Sequence, residues 1–314
     1  MTLHPKFREY LDALAVQLEQ SGASATEPTP ELARAALASL NQFALPKVAV
    51  ARVFDAIVPA ESPVPVRVYV PNPDEPSDVI FFVHGGGHMA GDLDVYDFSA
   101  RRTAATANMV TVSIDYRRAP EAPYPLGLTD TYNALTNLHE VLQDVRTTGT
   151  VHAVADSGGA AKIASIAMRA AAGEWVNPIS RQVLLYPSLD YTLRGQSVGE
   201  FGEGYFLTAE RVAWYFDNYF PAGTDRAVAS PLSGPFSAEM PDTLVIAAEY
   251  DPLISEAKTY VQNMNAAGAE AHFLQAQGMI HAYAFFESLV PEAINRTYEI
   301  LSGFLRQGDV PESW

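Results

Sequence analysis

The residues equipped for chemistry fall in four short motifs. His84-Gly85-Gly86-Gly87 follows the apolar run 79–83, and Ala155-Asp156-Ser157-Gly158-Gly159 follows the run 151–154. Asp251-Pro252-Leu253 follows 243–250, and Gly278-Met279-Ile280-His281 follows 271–276. A serine hydroxyl is a weak nucleophile until a base takes its proton. Ser157 is the candidate nucleophile, with Ala155 and Gly159 supplying the small neighbours that a sharp strand-to-helix turn needs. His281 is the candidate base: of the seven histidines, it is the one in a glycine-started loop after a strand. His4 and His139 read as surface residues, His152 and His272 as structural parts of strands, and His84 as a brace for its turn. Asp251 is the candidate acid that orients the imidazole. Capping the helix that begins near Pro252 is the other role open to it. Glu256 is the reserve acid, less well aimed because it falls inside that helix. Gly85 and Gly86, with the backbone N–H of Gly158, are the candidate donors to a tetrahedral oxyanion, and a plain flexible turn is the alternative for the glycines. The chemistry these groups would do together is acyl transfer through a covalent serine intermediate.

Other chemistries find less to work with. No Lys-Ser/Thr pair follows the glycines, as a phosphate-binding loop requires, and no histidine pair has the spacing of a helical zinc site. No glycine pattern opens a convincing dinucleotide site. The chain has no cysteine, which removes disulfides, thiolate metal sites and a cysteine nucleophile. No metal and no cofactor is expected.

The elements that must hold these motifs alternate along the chain. Apolar runs at 79–83, 109–114, 151–154 and 182–186, then 244–248 and 271–275, read as strands with helical patterns between them. The run 64–70 alternates as a half-buried strand, and Pro63 and Pro65 place it at a sheet edge. Strands begin near Val48, and a helix near 292–306 closes the fold. Such alternation implies an α/β fold, with a mostly parallel central sheet flanked by helices. Each motif stands where a strand ends, which is where open α/β sheets place their chemistry. A glycine turn, then Ser, Asp and His, is the chain order of an α/β-hydrolase.

Two segments stand outside the alternation. The first, to about Leu45, is helical: Phe7, Leu11, Leu14 and Leu18 recur at helical spacing, and Thr29-Pro30-Glu31 starts a second helix with Thr29 as N-cap. Ser21 to Pro28 reads as a loop. The second, from about Leu189 to Ala227, carries four glycines and then an aromatic helix around Trp214, Tyr215, Phe216 and Tyr219. It is an insertion that either packs as an extra surface helix or forms a lid. The resulting boundaries are 1–46 and 189–227 for the two outlying segments, and 47–188 and 228–314 for the α/β core. Phe206 and Trp214 of the insertion are candidate substrate contacts that would limit pocket size.

The chain has 314 residues, 48% of them hydrophobic and 18% charged, enough to bury a large core. A formal charge of −17 argues against nucleic acid or an anionic membrane as partner. The first residues lack the layout of a secretion signal, and no apolar run reaches membrane-spanning length. The expectation is a cytoplasmic protein with a small-molecule partner.

The motifs together resemble the hormone-sensitive-lipase family of bacterial carboxylesterases, from about Val48 to the C-terminus. The likeness rests on His84-Gly85-Gly86-Gly87 with Gly91 beyond, and on Asp115-Tyr116-Arg117-Arg118-Ala119-Pro120-Glu121. It continues through Tyr186-Pro187, Ser230-Pro231-Leu232, Asp251-Pro252-Leu253 and Gly278-Met279-Ile280-His281. The resemblance implies the triad Ser157, Asp251 and His281, the oxyanion donors Gly85, Gly86 and Gly158, and a helical cap made from the two outlying segments. It also implies small, short-acyl ester substrates and a homodimer formed through the edge of the last strand. An arylformamidase or other amidase would use the same triad, and a non-catalytic small-molecule receptor would use the same fold. The nucleophile motif, Ala155-Asp156-Ser157-Gly158-Gly159-Ala160, departs from the family's G-D-S-A-G-G, with the small Ala155 at its first position, and three departures change the local chemistry. Gly158 follows the nucleophile where the family has Ala, His88 stands where an aromatic residue is common, and Lys162 puts a charge early on the helix after the nucleophile. His88 either lines the cleft or fills space, and Lys162 has no role legible in the sequence.

Overall fold

The computed structural model describes residues 2–21 and 27–314. Of the loop expected from Ser21 to Pro28, residues 22–26 lie outside them. Two helices open the chain, α1 (Pro5–Ser21) and α2 (Pro30–Ser39). The α2 start matches its sequence signal: the Thr29 hydroxyl accepts from Leu32 N at 3.2 Å, and Pro30 takes the first helical position.

The sheet follows, as β1 (Arg52–Val58), β2 (Val64–Val70), β3 (Ser77–Val83), β4 (Val110–Ile114), β5 (Thr147–Asp156), β6 (Ile179–Leu185), β7 (Asp242–Tyr250) and β8 (Ala271–Ile280). Their spatial order is β1-β2-β4-β3-β5-β6-β7-β8, and all adjacent pairs are parallel except β1·β2 and β2·β4. The first strand starts at Arg52 rather than near Val48. Nor does β2 lie at the edge as its prolines predict, since β1 covers it. Pro65 is tolerated because it sits one residue beyond the end of β4, where its carbonyl still accepts from Asp115 N at 2.9 Å. Only the last rung of that ladder loses a donor.

The crossovers are α3 (Asp97–Ala107), α4 (Leu126–Thr136), α5 (Ser157–Ala171) and α9 (Ile254–Ala266), α6 (Gln196–Phe201) and α7 (Ala209–Tyr219) lie in the insertion with α8 (Arg226–Ala229) across its end, and α10 (Pro291–Gln307) follows the last strand. Side chains of a strand point alternately to its two faces. Phe81, Val83, Ala153, Ala155, Val245 and Ala247 therefore pack with Leu128, Ile163 and Tyr260 on one face. Ile80, Phe82, Val154, Leu244 and Ile246 pack with Ala104, Leu301 and Phe304 on the other. A third, aromatic cluster joins the insertion to the core through Tyr191, Val212, Phe216, Tyr219, Phe220 and Leu253. The N-terminal helices are tied down independently. Phe7 is buried edge-on against Phe286, and Arg34 of α2 pairs with Glu121 while donating to the carbonyls of Met89 and Ala119.

Candidate active site

All four motifs converge at the carboxyl ends of the parallel strands. Ser157 is the first residue of α5, directly after β5, with φ +47°. That conformation is strained for a residue with a Cβ, and strain of this kind clusters at functional sites. The turn is held by its neighbours. A Cβ on Gly159 would run into the backbone oxygens of Val83 and His84, so only glycine lets α5 lie this close to the end of β3.

His281 follows β8, which runs on through Gly278 instead of ending before it. Gly278 (φ +73°) is a bend inside the strand, its N–H donating to Glu249 Oε2 at 2.7 Å. The Ser157 hydroxyl lies 3.0 Å from His281 Nε2, and His281 Nδ1 lies 2.7 Å from Asp251 Oδ2. Asp251 is completely buried, and it does not cap α9, whose N-cap is Leu253. Its second oxygen accepts from Leu253 N at 2.9 Å in the turn ahead of α9. Glu256 is placed elsewhere: its Oε1 accepts the N–H groups of Leu189 (2.6 Å) and Asp190 (3.2 Å), which anchors the loop after β6. Burial holds that carboxyl well above the usual range.

The glycine turn corrects one expectation. Gly85 N–H is already committed, donating to Asp156 Oδ1 at 2.7 Å, and Gly85 is not in the wall of the cavity above Ser157. Gly86 and Gly87, both at positive φ, are in that wall with Gly158. Among the described residues nothing accepts from the N–H of Gly86 or Gly87. The set facing the nucleophile is thus Gly86, Gly87 and Gly158. The signal that would have found it is register: Val83 of β3 pairs with Ala155 of β5, so Asp156 reaches the residues just past β3. His84 braces the turn, its Nδ1 2.9 Å from Gly85 O and its ring stacked on Tyr116 at 4.4 Å. Burial lowers its pKa to about 3, so the ring is neutral. The Tyr116 hydroxyl in turn donates to His84 O at 2.8 Å.

Asp156 also accepts from the Tyr96 hydroxyl at 3.1 Å. Burial raises its pKa to about 6, although the Gly85 N–H and the Tyr96 hydroxyl both favour the carboxylate. The sign of the linkage follows. Between pH 4 and 6 the unfolded chain ionises this group while the folded chain keeps its proton, so stability falls as pH rises through that window. Asp156→Asn keeps an acceptor for Gly85 and removes the titration. Its stability relative to the parent is expected to improve by about 2 kcal/mol between pH 4.5 and pH 7. Urea unfolding at the two pH values measures this, and equal differences at both would contradict it.

The cavity over Ser157 and His281 encloses about 620 Å³, its open mouth included. Its walls come from Leu37 of α2, from Phe206, Leu207, Val212, Tyr215 and Phe216 of the insertion, and from His88, Ser188, Leu253 and Phe285. Phe206 is therefore in the wall, but Trp214 is not. One face of α7 turns Val212, Tyr215 and Phe216 inward, which leaves Trp214 on the outer side beneath the Arg211 guanidinium at 5.6 Å. Tyr215 holds the place expected of Trp214, close enough that a Cβ on Gly87 would meet its ring at 2.6 Å. Among the described residues, no group of three or more His, Asp or Glu is placed to hold a metal ion, and no helix is long and apolar enough to cross a membrane.

Comparison with known proteins points one way. A family model for the alpha/beta hydrolase fold matches residues 80–285. Carboxylic ester hydrolase LipN of Mycobacterium tuberculosis is 32% identical over 248 residues, 76% of this chain and 66% of LipN, so the chain spans about two thirds of that relative's length. Ethyl acetate hydrolase of Pseudomonas putida is 28% identical over 308 residues, 93% of this chain and 95% of the relative. Among solved structures, the hyperthermophilic esterase of Pyrobaculum calidifontis superposes with a TM-score of 0.85 at 29% identity, covering 98% of each chain.

Proposed function

The chain belongs to the hormone-sensitive-lipase family of carboxylesterases on the alpha/beta hydrolase fold, and we propose that it cleaves small, short-acyl esters with Ser157, His281 and Asp251 as its triad. The observation that carries the reading is the unbroken hydrogen-bonded line from Ser157 Oγ through both nitrogens of His281 to the buried Asp251. It lies in the floor of the cavity walled by α2 and the insertion.

In this reading Ser157 Oγ attacks the ester carbonyl as His281 Nε2 takes its proton. Asp251 holds the ring with Nδ1 protonated and stabilises the imidazolium as it forms. The N–H groups of Gly86, Gly87 and Gly158 bind the oxyanion in place of the Gly85 set. His281 returns the proton to the departing alcohol, then activates water to release the acid from Ser157. A protonated His281 cannot act as base, so the rate falls at acidic pH. The helices of 1–46 and 189–227 serve as the cap. Three of their apolar walls, Phe206, Val212 and Phe216, favour short chains. The outer edge of β8, apart from Gly278, whose carbonyl accepts from His4 N, is the surface for a second copy of the chain.

A ladder of p-nitrophenyl esters from acetate to palmitate tests the reading. We expect kcat/KM to peak between acetate and hexanoate and to be lower by at least about tenfold at laurate, because overfilling a close-fitting pocket by several methylenes costs more than 1 kcal/mol. Long chains as the best substrates would contradict it. Anilides turned over as fast as esters would move the reading to an amidase.

A further inference from the structure

Three of the positions that depart from the family's pattern, His88, Gly158 and Lys162, form one cluster, with His88 brought in from 70 or more residues away. Lys162 is buried to 1% exposure, and its Nζ lies 2.8 Å from His88 Nδ1. The amine also sits over the Tyr116 ring at 3.9 Å and within 5.6 Å of the Tyr219 ring centre. His88 is equally buried, stacked on Tyr219 with ring centres 3.9 Å apart and planes at 8°. Its other edge abuts the backbone after the nucleophile. A Cβ on Gly158 would stand 3.1 Å from His88 N and 3.3 Å from His88 Cε1. A methyl group at 158 would crowd the His88 backbone and ring alike, and glycine avoids that contact.

The amine fixes the state of the ring. Burial works against a charge on either group, and the two cannot both be cations at this distance. An amine holds its proton far more strongly than an imidazole, and the two tyrosine faces and Asp130 favour it there. With the Lys162 amine as donor, His88 accepts at Nδ1 and the ring hydrogen lies on Nε2. That Nε2 has no partner among the described residues. Neither has the hydroxyl of Ser188, which is 4% exposed and belongs, like His88, to the wall of the Ser157 cavity. Both atoms are buried within the wall and unpaired, which costs the free protein stability and leaves hydrogen bonds for a ligand that displaces part of that wall to make.

We infer that His88 and Ser188 form a polar subsite that selects esters carrying a second oxygen, a carbonyl, ether or hydroxyl, beyond the scissile group, with Lys162 as the positioning residue that sets the His88 tautomer. The inference rests on the esterase reading above. The second oxygen belongs either to the acyl part or to the alcohol part, and paired substrates separate the two. For the acyl part, p-nitrophenyl methoxyacetate is compared with p-nitrophenyl butyrate. For the alcohol part, 2-methoxyethyl acetate is compared with butyl acetate. The kcat/KM ratio within each pair is measured in the parent, His88→Phe and Ser188→Ala, so that intrinsic reactivity cancels between enzymes. In one arm the ratio is expected to fall about tenfold in His88→Phe and about threefold in Ser188→Ala, because a site built to hydrogen-bond its substrate discriminates against the isostere. Ratios constant within twofold in both arms overturn the subsite.

Nitrogen-15 NMR of the histidine-labelled parent supplies a test that needs no folded variant at position 88. The His88 ring is expected to be protonated at Nε2 and to accept at Nδ1. Lys162→Met is expected to lose that preference and to lower the substrate ratio mainly through KM. A parent ring protonated at Nδ1 overturns the role of Lys162. If Ser157→Ala remains active, the esterase reading itself fails. If Ser157→Ala is inactive while the ratios stay constant, the subsite alone fails.

Discussion

Ser157→Ala is expected to lower kcat for p-nitrophenyl acetate by a factor of about 10⁴ to 10⁶, the range found when a triad nucleophile is removed. Among the described residues, the Ser157 hydroxyl is the one that meets His281 Nε2 at hydrogen-bond distance, 3.0 Å. The neighbouring hydroxyl in the cavity, Ser188 Oγ, has no base beside it. Alanine takes the same backbone position at no added strain, so the protein should fold with its cavity intact and KM should change little. Stopped assays at high enzyme concentration, with circular dichroism to verify the fold, measure the loss. A variant that keeps more than about one part in a hundred of the activity would need a second nucleophile, which this geometry does not supply.

Asp251→Asn is expected to cost about 10³ to 10⁴ in kcat, comparable with the handicap seen when the orienting carboxylate of a serine triad becomes an amide. The argument is one of tautomers. Asp251 is fully buried, with Oδ1 taken by Leu253 N at 2.9 Å and Oδ2 facing His281 Nδ1 at 2.7 Å. An asparagine that keeps the Leu253 contact presents its NH₂ to Nδ1. The ring then holds its hydrogen on Nε2 and cannot take the Ser157 proton. Glu256 cannot substitute, because its Oε1 holds the N–H groups of Leu189 and Asp190. The measurement is kcat across neutral to alkaline pH. A loss of less than tenfold would show that Asp251 does not orient the base.

The reaction class was legible because it depends on local signals. Each motif lies at or just past the end of an apolar run, and the order glycine turn, Ser, Asp, His follows the chain. The helix at α2 was legible from Thr29 and Pro30 alone, since an N-cap acts within three residues. What escaped the sequence was non-local. That Gly85 spends its N–H on Asp156 depends on strands β3 and β5 lying side by side, a contact 71 residues apart. Trp214 and Tyr215 differ by one position on α7, and only the packed orientation of the helix decides which faces the cavity. Pro65 looked like an edge residue because its own pairing, and not the arrival of β1 outside it, was visible.

Lys162 shows the limit most clearly. A lone lysine near the start of a helix has no meaning until the fold brings His88 to it across 74 residues and closes two tyrosine rings over it. His88 also packs against Gly158, which a local reading treats only as a loosened oxyanion donor.

The most direct test of the whole account is to trap the covalent intermediate. The protein is incubated with diethyl p-nitrophenyl phosphate, digested, and its peptides weighed by mass spectrometry. The account requires one diethylphosphoryl group per chain, on Ser157, with activity lost in step with labelling and no labelling of Ser157→Ala. Activity that survives stoichiometric labelling, or a label carried by any other residue, would contradict it.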